Sequence, residues 1–482
     1  MFLGTSAADR LGAGIYSPQF AHPDLSYWSP IWKSIRDAYL GEIEVKRKGT
    51  NYLPRLDNMT TSEYAAYLDR TAFYNMVART ANGMVGRLFQ RPPKTEGVPS
   101  RLSLNDVTLN GQSVDALARE IAQEVVLTGR VGVMLDVDTE RDSIGYFNVY
   151  SAENILDWRT ERVGGKIQLT YVVLREIETN ADRLQMQRYR TVYRVLSLDK
   201  EADGSRVYRS YLHRNENLGT EADEVSTALN RGTPLDYIPF KFFGPNNNDP
   251  GIDKPPILDI VTLNYAHYKA SAHLEHGRFY TASPVYYVPV GPGSDSSSTS
   301  YTLGPSVVWE VDTESSPGIL EFNGSGLMYL ENSLKEKEAM VAALGGKLAG
   351  IQPAAASDSD ASAKVKSAGE HSTLIGIAES IETGLTDLLQ WWAHWQDVYD
   401  PSGITFTLTR AFGFDFDAAG AREWRAIHAM YSDKIITVEV LFEYLQRAAI
   451  VPDWMTLAEF SNALRDPASF PGLDLTQDRL AA

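Results

Sequence analysis

Leu327-Met328-Tyr329-Leu330-Glu331-Asn332-Ser333-Leu334-Lys335-Glu336-Lys337-Glu338-Ala339-Met340-Val341-Ala342-Ala343-Leu344-Gly345-Gly346-Lys347-Leu348 is the stretch on which the reading of this chain turns. Leu327, Leu330, Leu334, Val341, Leu344 and Leu348 fall on a strict a/d heptad, and Lys337 takes the one remaining seam position. That spacing holds an apolar stripe on one narrow face of a helix, a face suited to a neighbouring helix. Gly350-Ile351-Gln352-Pro353-Ala354-Ala355-Ala356-Ser357-Asp358-Ser359-Asp360 follows and is small, acidic and helix-breaking. A second helix is expected from about Ala363 to Asp397, where Leu374, Ile377, Ile381, Leu385, Leu388, Trp392 and Trp395 recur at steps of three and four.

Upstream of the heptad, residues 279–326 read as a compact strand-and-turn insert with strands at Pro284–Val290, Ser306–Val311 and Gly318–Phe322. The insert holds Asp295, Glu310, Asp312, Glu314 and Glu321 but no Lys or Arg. Before it, Pro255–Arg278 reads as a helix opened by prolines, which belong where a missing N–H costs least. Strand-like segments at Val131–Val137, Tyr146–Tyr150, Lys166–Glu176, Gln187–Leu198 and Arg206–His213 predict a β-rich region, with 214–233 a polar loop. Nearer the start, Ser26–Leu40 and Ser113–Thr128 read as helices. A third opens at the Thr60/Glu63 capping-box spacing and runs to Arg91-Pro92-Pro93, with Gly83 and Gly86 placed for close packing. After a short strand at Ile404–Leu408, three short helices are expected at Ala418–Ser432, Val438–Ala448 and Leu457–Leu464. The fold class is therefore α+β.

Composition narrows the function. The 482 residues are 43% hydrophobic, enough for large cores, and no apolar run approaches the roughly 18–20 residues of a membrane span. The first ten residues lack the basic-then-apolar order of a signal peptide, so an unsecreted product is expected. Cysteine is absent, which removes disulfides, thiolate catalysis and cysteine-ligated zinc. A net charge of −17 is the opposite of what a tight, sequence-independent grip on phosphate requires.

Catalytic signatures are missing. Gly345-Gly346-Lys347 resembles the end of a phosphate loop, but Leu348 stands where a Ser or Thr would hold magnesium, so helical packing is the better reading. His267, His273 and His276 lack the spacing of a zinc protease, and Asp358 and Asp360 lack the framework of a calcium loop. Trp391, Trp392 and Trp395 could stack on bases, though helical spacing places them in a core or interface first. The expectation is a non-enzyme without metal or cofactor.

The order of elements resembles the portal proteins of tailed bacteriophages. Local wording adds to it: Tyr52-Leu53-Pro54-Arg55-Leu56, Gly83-Met84-Val85-Gly86-Arg87-Leu88-Phe89-Gln90-Arg91-Pro92-Pro93, Leu127-Thr128-Gly129-Arg130-Val131-Gly132-Val133 and Ser151-Ala152-Glu153-Asn154-Ile155-Leu156-Asp157-Trp158 are similar to such sequences. The likeness covers roughly 50–455 and rests on pattern and order. It implies a wing at 51–254, a stem helix at 255–278, a clip at 279–326, a second stem helix at 327–349 and a tunnel loop at 350–361. A long wing helix and strand at 362–417 and a helical crown with a loose C-terminus at 418–482 complete it; residues 1–50 have no assigned role.

The resemblance further implies a ring, a dodecamer, at the portal vertex of the virion, assembled in the host cytoplasm. In a closed ring each subunit offers one face and accepts with another, so Leu327, Leu330, Leu334, Val341, Leu344 and Leu348 would form a subunit interface. Gln352, Pro353, Ala354, Ala355, Ala356, Ser357, Asp358, Ser359 and Asp360 would project into a DNA channel. Lys335, Lys337, Lys347, Lys364 and Lys366 are candidate channel lysines, some of which would instead pair with Glu331, Glu336 and Glu338 at helical spacing. Glu310, Asp312 and Glu314 would dock partners. Those partners are the terminase motor and head–tail adaptor, beside the major capsid protein and a scaffold, with double-stranded DNA passing without sequence specificity and no membrane. An acidic ring would repel the phosphate backbone and keep it centred. The competing class is a non-enzymatic scaffold of smaller oligomeric state, the two helices then being an ordinary bundle hairpin.

Overall fold

The computed structural model describes residues 2–3, 21–100, 102–137, 145–163, 165–180, 188–214, 218, 221–230, 233–282, 285–289, 308–311, 316–320, 324–349, 372–396, 398, 400–408, 430–431, 433, 435–447, 451 and 455–465. The chain divides into two compact units, Met1–Thr409 and Arg410–Ala482. Among the described residues it is mixed α/β, with ten α-helices and several mainly antiparallel sheets.

The first unit opens with β1 (Phe2–Leu3), α1 (Asp24–Leu40), α2 (Glu42–Arg47), α3 (Thr61–Arg70) and α4 (Met76–Leu88). The Thr60/Glu63 capping box forms: Thr60 Oγ1 accepts from the Glu63 N–H, and the Glu63 carboxylate accepts from the Thr60 N–H at 2.7 Å. The single helix read onward from it is corrected to two. The backbone turns extended at Thr71, and a new helix starts at Asn75, whose side chain accepts from the Ala78 N–H as an N-cap. Gly83 and Gly86 are also corrected. A Cβ at either would meet nothing within 4 Å, because α4 buries the face carrying Met76, Val77, Ala81, Met84 and Leu88 instead.

After β2 (Lys94–Glu96), α5 (Val114–Thr128) is capped by Ser113 and ends on Gly129 at φ 70°, a left-handed stop. Only glycine fits there, since a Cβ would come within 2.4 Å of the Asp253 carbonyl oxygen. The β-rich region comprises β3 (Val131–Val137), β4 (Gly145–Ser151), β5 (Ile155–Val163), β6 (Lys166–Asn180), β7 (Arg188–Lys200), β8 (Arg206–His213), β9 (Glu224–Thr227), β10 (Leu229–Asn230), β11 (Thr233–Pro234) and β12 (Phe240–Phe243). Strands β1-β6-β7-β8-β9 form one sheet, with β5 also on β6, and β12-β3-β4 form another. The stretch read as a loop at 214–233 thus contributes β9, which pairs with β8, and part of the β10–β11 ladder. Trp32 from α1, Trp158, Val172, Leu174, Leu196, Phe240 and Phe242 share one core, and Trp32 Nε1 donates to the Thr128 carbonyl at 2.8 Å.

Two buried ion clusters stiffen this body. Arg36 of α1 donates to Glu124 at 2.8 Å and is paired with Glu153. Arg194 donates to both oxygens of Glu176, at 2.7 and 3.1 Å, and Tyr150 donates to the same carboxylate at 2.6 Å. Burial works against the Arg194 charge, but Glu176, Asp136 and Tyr150 outweigh it and hold the guanidinium well above its usual pKa.

The remainder of the first unit is α6 (Leu258–Thr281), β13 (Val285–Pro289), β14 (Val308–Val311), β15 (Gly318–Leu320), α7 (Leu327–Ala349), α8 (Ser372–Trp395) and β16 (Thr405–Thr407). Helix α6 starts at Leu258, so the prolines at 255 and 256 precede its first turn rather than occupying it. The second unit holds α9 (Val438–Arg447) and α10 (Leu457–Arg465), closed over Leu441, Leu445, Val451, Met455 and Phe460, with a capping box between Thr456 and Glu459. The helix expected over 418–432 lies almost wholly outside the described residues.

Candidate functional site

The strict heptad becomes one side of an arm. Helices α6 and α7 run antiparallel, as three cross-contacts fix: His267 with Glu338 at 3.2 Å, Arg278 with Glu331 at 2.8 Å, and Gly277 against Leu327. A Cβ at Gly277 would lie 2.5 Å from a Leu327 methyl carbon, so the glycine sets how closely the helices approach. Within the stripe Val341 is buried and Leu327, Leu330, Leu334 and Leu344 are half-buried; Leu348 lies in α7, with its side chain outside the described residues. The stripe thus meets α6 of its own chain at Leu327, while Leu327, Leu330, Leu334 and Leu344 keep part of their surface open.

The arm is rooted at one end. Asn264 of α6, fully buried, accepts from the Met76 and Val77 N–H groups at the start of α4 and donates to the Tyr74 carbonyl. Tyr265 stacks on Tyr52 at 4.4 Å and donates to the Ser34 carbonyl, and Tyr268 meets Phe73 edge-on. Burial is the first cause of a raised phenol pKa at Tyr265 and Tyr268, and near Tyr268 it pushes Tyr67 up to about 12. On α7, Gly345 packs against Thr80 of α4, where a Cβ would come within 3.2 Å, so this glycine serves close helix packing.

Toward the other end burial stops. No residue of α6 beyond Leu274 is buried, and none of α7 before Val341. Phe279, Met328, Tyr329 and Met340 are exposed, and Arg70 lies over the Phe279 ring at 4.1 Å. Burial, together with Arg70 and His273, pulls the His276 pKa down. Between the helices, β13 pairs parallel with β14 and antiparallel with β15, and Tyr286, Val288 and Ile319 are exposed from this small sheet.

The sequence-predicted residues fare unevenly. Lys335 is exposed on α7, and Lys337 is half-buried and donates to Ser333 of its own helix. Glu331 and Glu338 pair with α6 rather than with α7 lysines, because the antiparallel neighbour brings Arg278 and His267 across from them. Glu310 lies in β14 opposite Val288. The side chains of Glu310 and Lys347, and all of Asp312, Glu314, Gln352–Asp360, Lys364 and Lys366, lie outside the described residues. Trp392 is buried and meets Phe147 edge-on at 5.8 Å, while Trp391 packs on Tyr237, so this cluster belongs to the core. Among the described residues no group of three or more His, Asp or Glu is placed to hold a metal, and no helix is long and apolar enough to cross a membrane.

One arrangement went unread in the sequence. Glu382, Thr386 and Gln390, four residues apart on α8, grip β16 as a neighbouring strand would. Glu382 accepts from the Leu408 N–H at 2.8 Å, Thr386 accepts from the Phe406 N–H at 3.0 Å, and Gln390 donates to the Ile404 carbonyl at 3.0 Å. On its other edge β16 pairs with β2. The available signal was a polar residue at every fourth position of an otherwise apolar helix.

The fold and site thus define a helix–sheet–helix arm rooted in a mixed α/β body and followed by a buried helix. Residues 256–396, which span the arm and that helix, match a family model described as Domain of unknown function (DUF4055). No curated protein matches the chain. A chain in the solved structure "Virion of native gene transfer agent (GTA) particle" aligns with 83% of this chain and 96% of its own length, at 12% identity and a TM-score of 0.37.

Proposed function

We propose that this chain is a non-enzymatic portal protein of the tailed-bacteriophage type. In this reading it forms a ring, a dodecamer, at one capsid vertex. The ring serves as the conduit for genome packaging and ejection and as the platform for the terminase motor and head–tail adaptor. The supporting observation is the arm itself, whose rooted end is cemented by Asn264 while its far end carries a small sheet and leaves Tyr286, Val288, Ile319, Met328 and Tyr329 uncovered. A portal uses such an arm as stem and clip, and the stretch 350–361 between α7 and α8 is its tunnel loop. The net charge of −17 fits a conduit, because each fixed phosphate contact would add a barrier to sliding.

One observation favours the second reading, a scaffold of smaller oligomeric state: α6 of the same chain packs beside the heptad helix, with Gly277 against Leu327. The particle mass of the purified full chain separates the two. A large multiple of the 53.5 kDa subunit supports the ring, and a monomer or dimer supports the scaffold.

A further inference from the structure

Helix α3 lies along one side of α6 in the same direction. Tyr67 meets His273 at 6.5 Å and His276 at 5.1 Å between ring centres, and Arg70, further along, lies over Phe279. His276 also meets Tyr280 edge-on at 4.8 Å. The Tyr67 and Tyr268 hydroxyls, Arg70 Nε and His276 Nδ1 are all enclosed with no hydrogen-bond partner among the described residues. Asn264 and Tyr265, on the same helix, are instead hydrogen-bonded into the body, so the α3 seam differs in resting on ring packing. Parting α3 from α6 returns these polar atoms to water, which lowers the cost of opening there.

Imidazole is the one group of this set whose charge changes near neutral pH. A neutral ring can keep its proton on Nε2 and leave Nδ1 a bare lone pair, whereas a protonated ring carries an N–H at both nitrogens. In the closed seam the N–H at His276 Nδ1 has no acceptor among the described residues. The charges around the ring do not answer it either. From α3 it is faced by Tyr67 and Arg70, and along α6 by His273 and Tyr280. Asp69 of α3 is exposed, and Glu275 of α6 and Glu331 of α7 both accept from Arg278. Burial is the first cause that lowers the His276 pKa, and Arg70 and His273 lower it further.

We propose that the seam between α3 and α6 is a pH-sensitive joint, closed while His276 is neutral and opened when His276 takes a proton, which parts α3 from the arm. The closed form binds that proton more weakly than the open one. Closure is therefore complete above about pH 6.5 and is lost as pH falls below that value. A single proton taken up on opening shifts the opening equilibrium by at most about ten-fold between about pH 7.5 and about pH 5.5. The joint lies within one chain, so it stands apart from the choice between a ring and a smaller scaffold.

Amide hydrogen exchange of the full chain, read by mass spectrometry and corrected for the intrinsic pH dependence of exchange, tests the joint. Between about pH 7.5 and about pH 5.5 the protection of Thr61–Arg70 should fall several-fold in the wild type while that of β6 holds. His276→Phe keeps a ring against Tyr67 but cannot titrate, and its α3 protection should be the same at both pH values. A fall in wild-type α3 no greater than that in β6 overturns the proposal, as does an undiminished fall in His276→Phe. Should His276→Phe not fold, His276→Gln is read by the same two outcomes.

Discussion

In the sheet body Glu176 is 1% exposed and accepts from Arg194 twice and from Tyr150 once, whereas in the arm Glu331 is 40% exposed and takes a single bond from Arg278. The same pair of residue types does opposite work in the two places. Taking one partner from an enclosed pair such as Glu176 and Arg194 is costly, while the arm's charges stay in water and steer helix α6 onto α7 at little cost. The arm also keeps Met328, Tyr329 and Met340 in the open.

The largest expected effect tests that contrast directly. Glu176→Gln removes the carboxylate that Arg194 binds twice and should cost about 3–5 kcal/mol of stability, whereas Glu331→Gln should cost under about 1 kcal/mol. Urea unfolding of the full chain measures both, and equal losses would remove the distinction. Next in size is the joint between the regions. Asn264→Ala strips the Val77 N–H of its acceptor and leaves the Met76 N–H to the Tyr74 carbonyl, for about 1–3 kcal/mol. Amide exchange at Met76 and Val77 should accelerate while β6 and β7 stay protected; unchanged exchange at the two amides would mean that Asn264 does not cement the arm.

The smallest effect is in pH. Burial lowers the pKa of His213 in the body and of His276 in the arm, so the folded chain binds fewer protons than the unfolded one just below the usual imidazole value. Their contribution is complete above about pH 6.5 and is lost as pH falls below that value toward the depressed folded ones. Urea midpoints should therefore drop from about pH 7.5 to about pH 5.5, and His276→Gln should shallow that drop. An unaltered slope in the variant would show that His276 does not share in it.

Much of this was legible because it is local. Val131–Val137, Arg206–His213 and the heptad helix are set by periodicity within a few residues, and the capping boxes at Thr60 and Thr456 are set by a spacing of three. The break at Thr71–Asn75 was written in Asn75 as an N-cap, but the apolar positions on either side continue one helical phase and masked it. What could not be read were contacts between residues far apart in sequence. Asn264 meets Met76 across 188 positions, and Arg278 reaches Glu331 across 53, so no window along the chain shows that the heptad's first partner is α6. Arg130 reads in the sequence as an ordinary polar residue beside a helix stop; only the packing of Trp158 and Phe242 on its faces makes it unusual.

Negative-stain imaging of the purified full-length protein bears most directly on the portal reading. Rings with a central hole, carrying the arms as a narrower stalk, are the predicted result. Compact single particles near the 53.5 kDa subunit mass would contradict it and leave the arm as a bundle hairpin of a smaller scaffold.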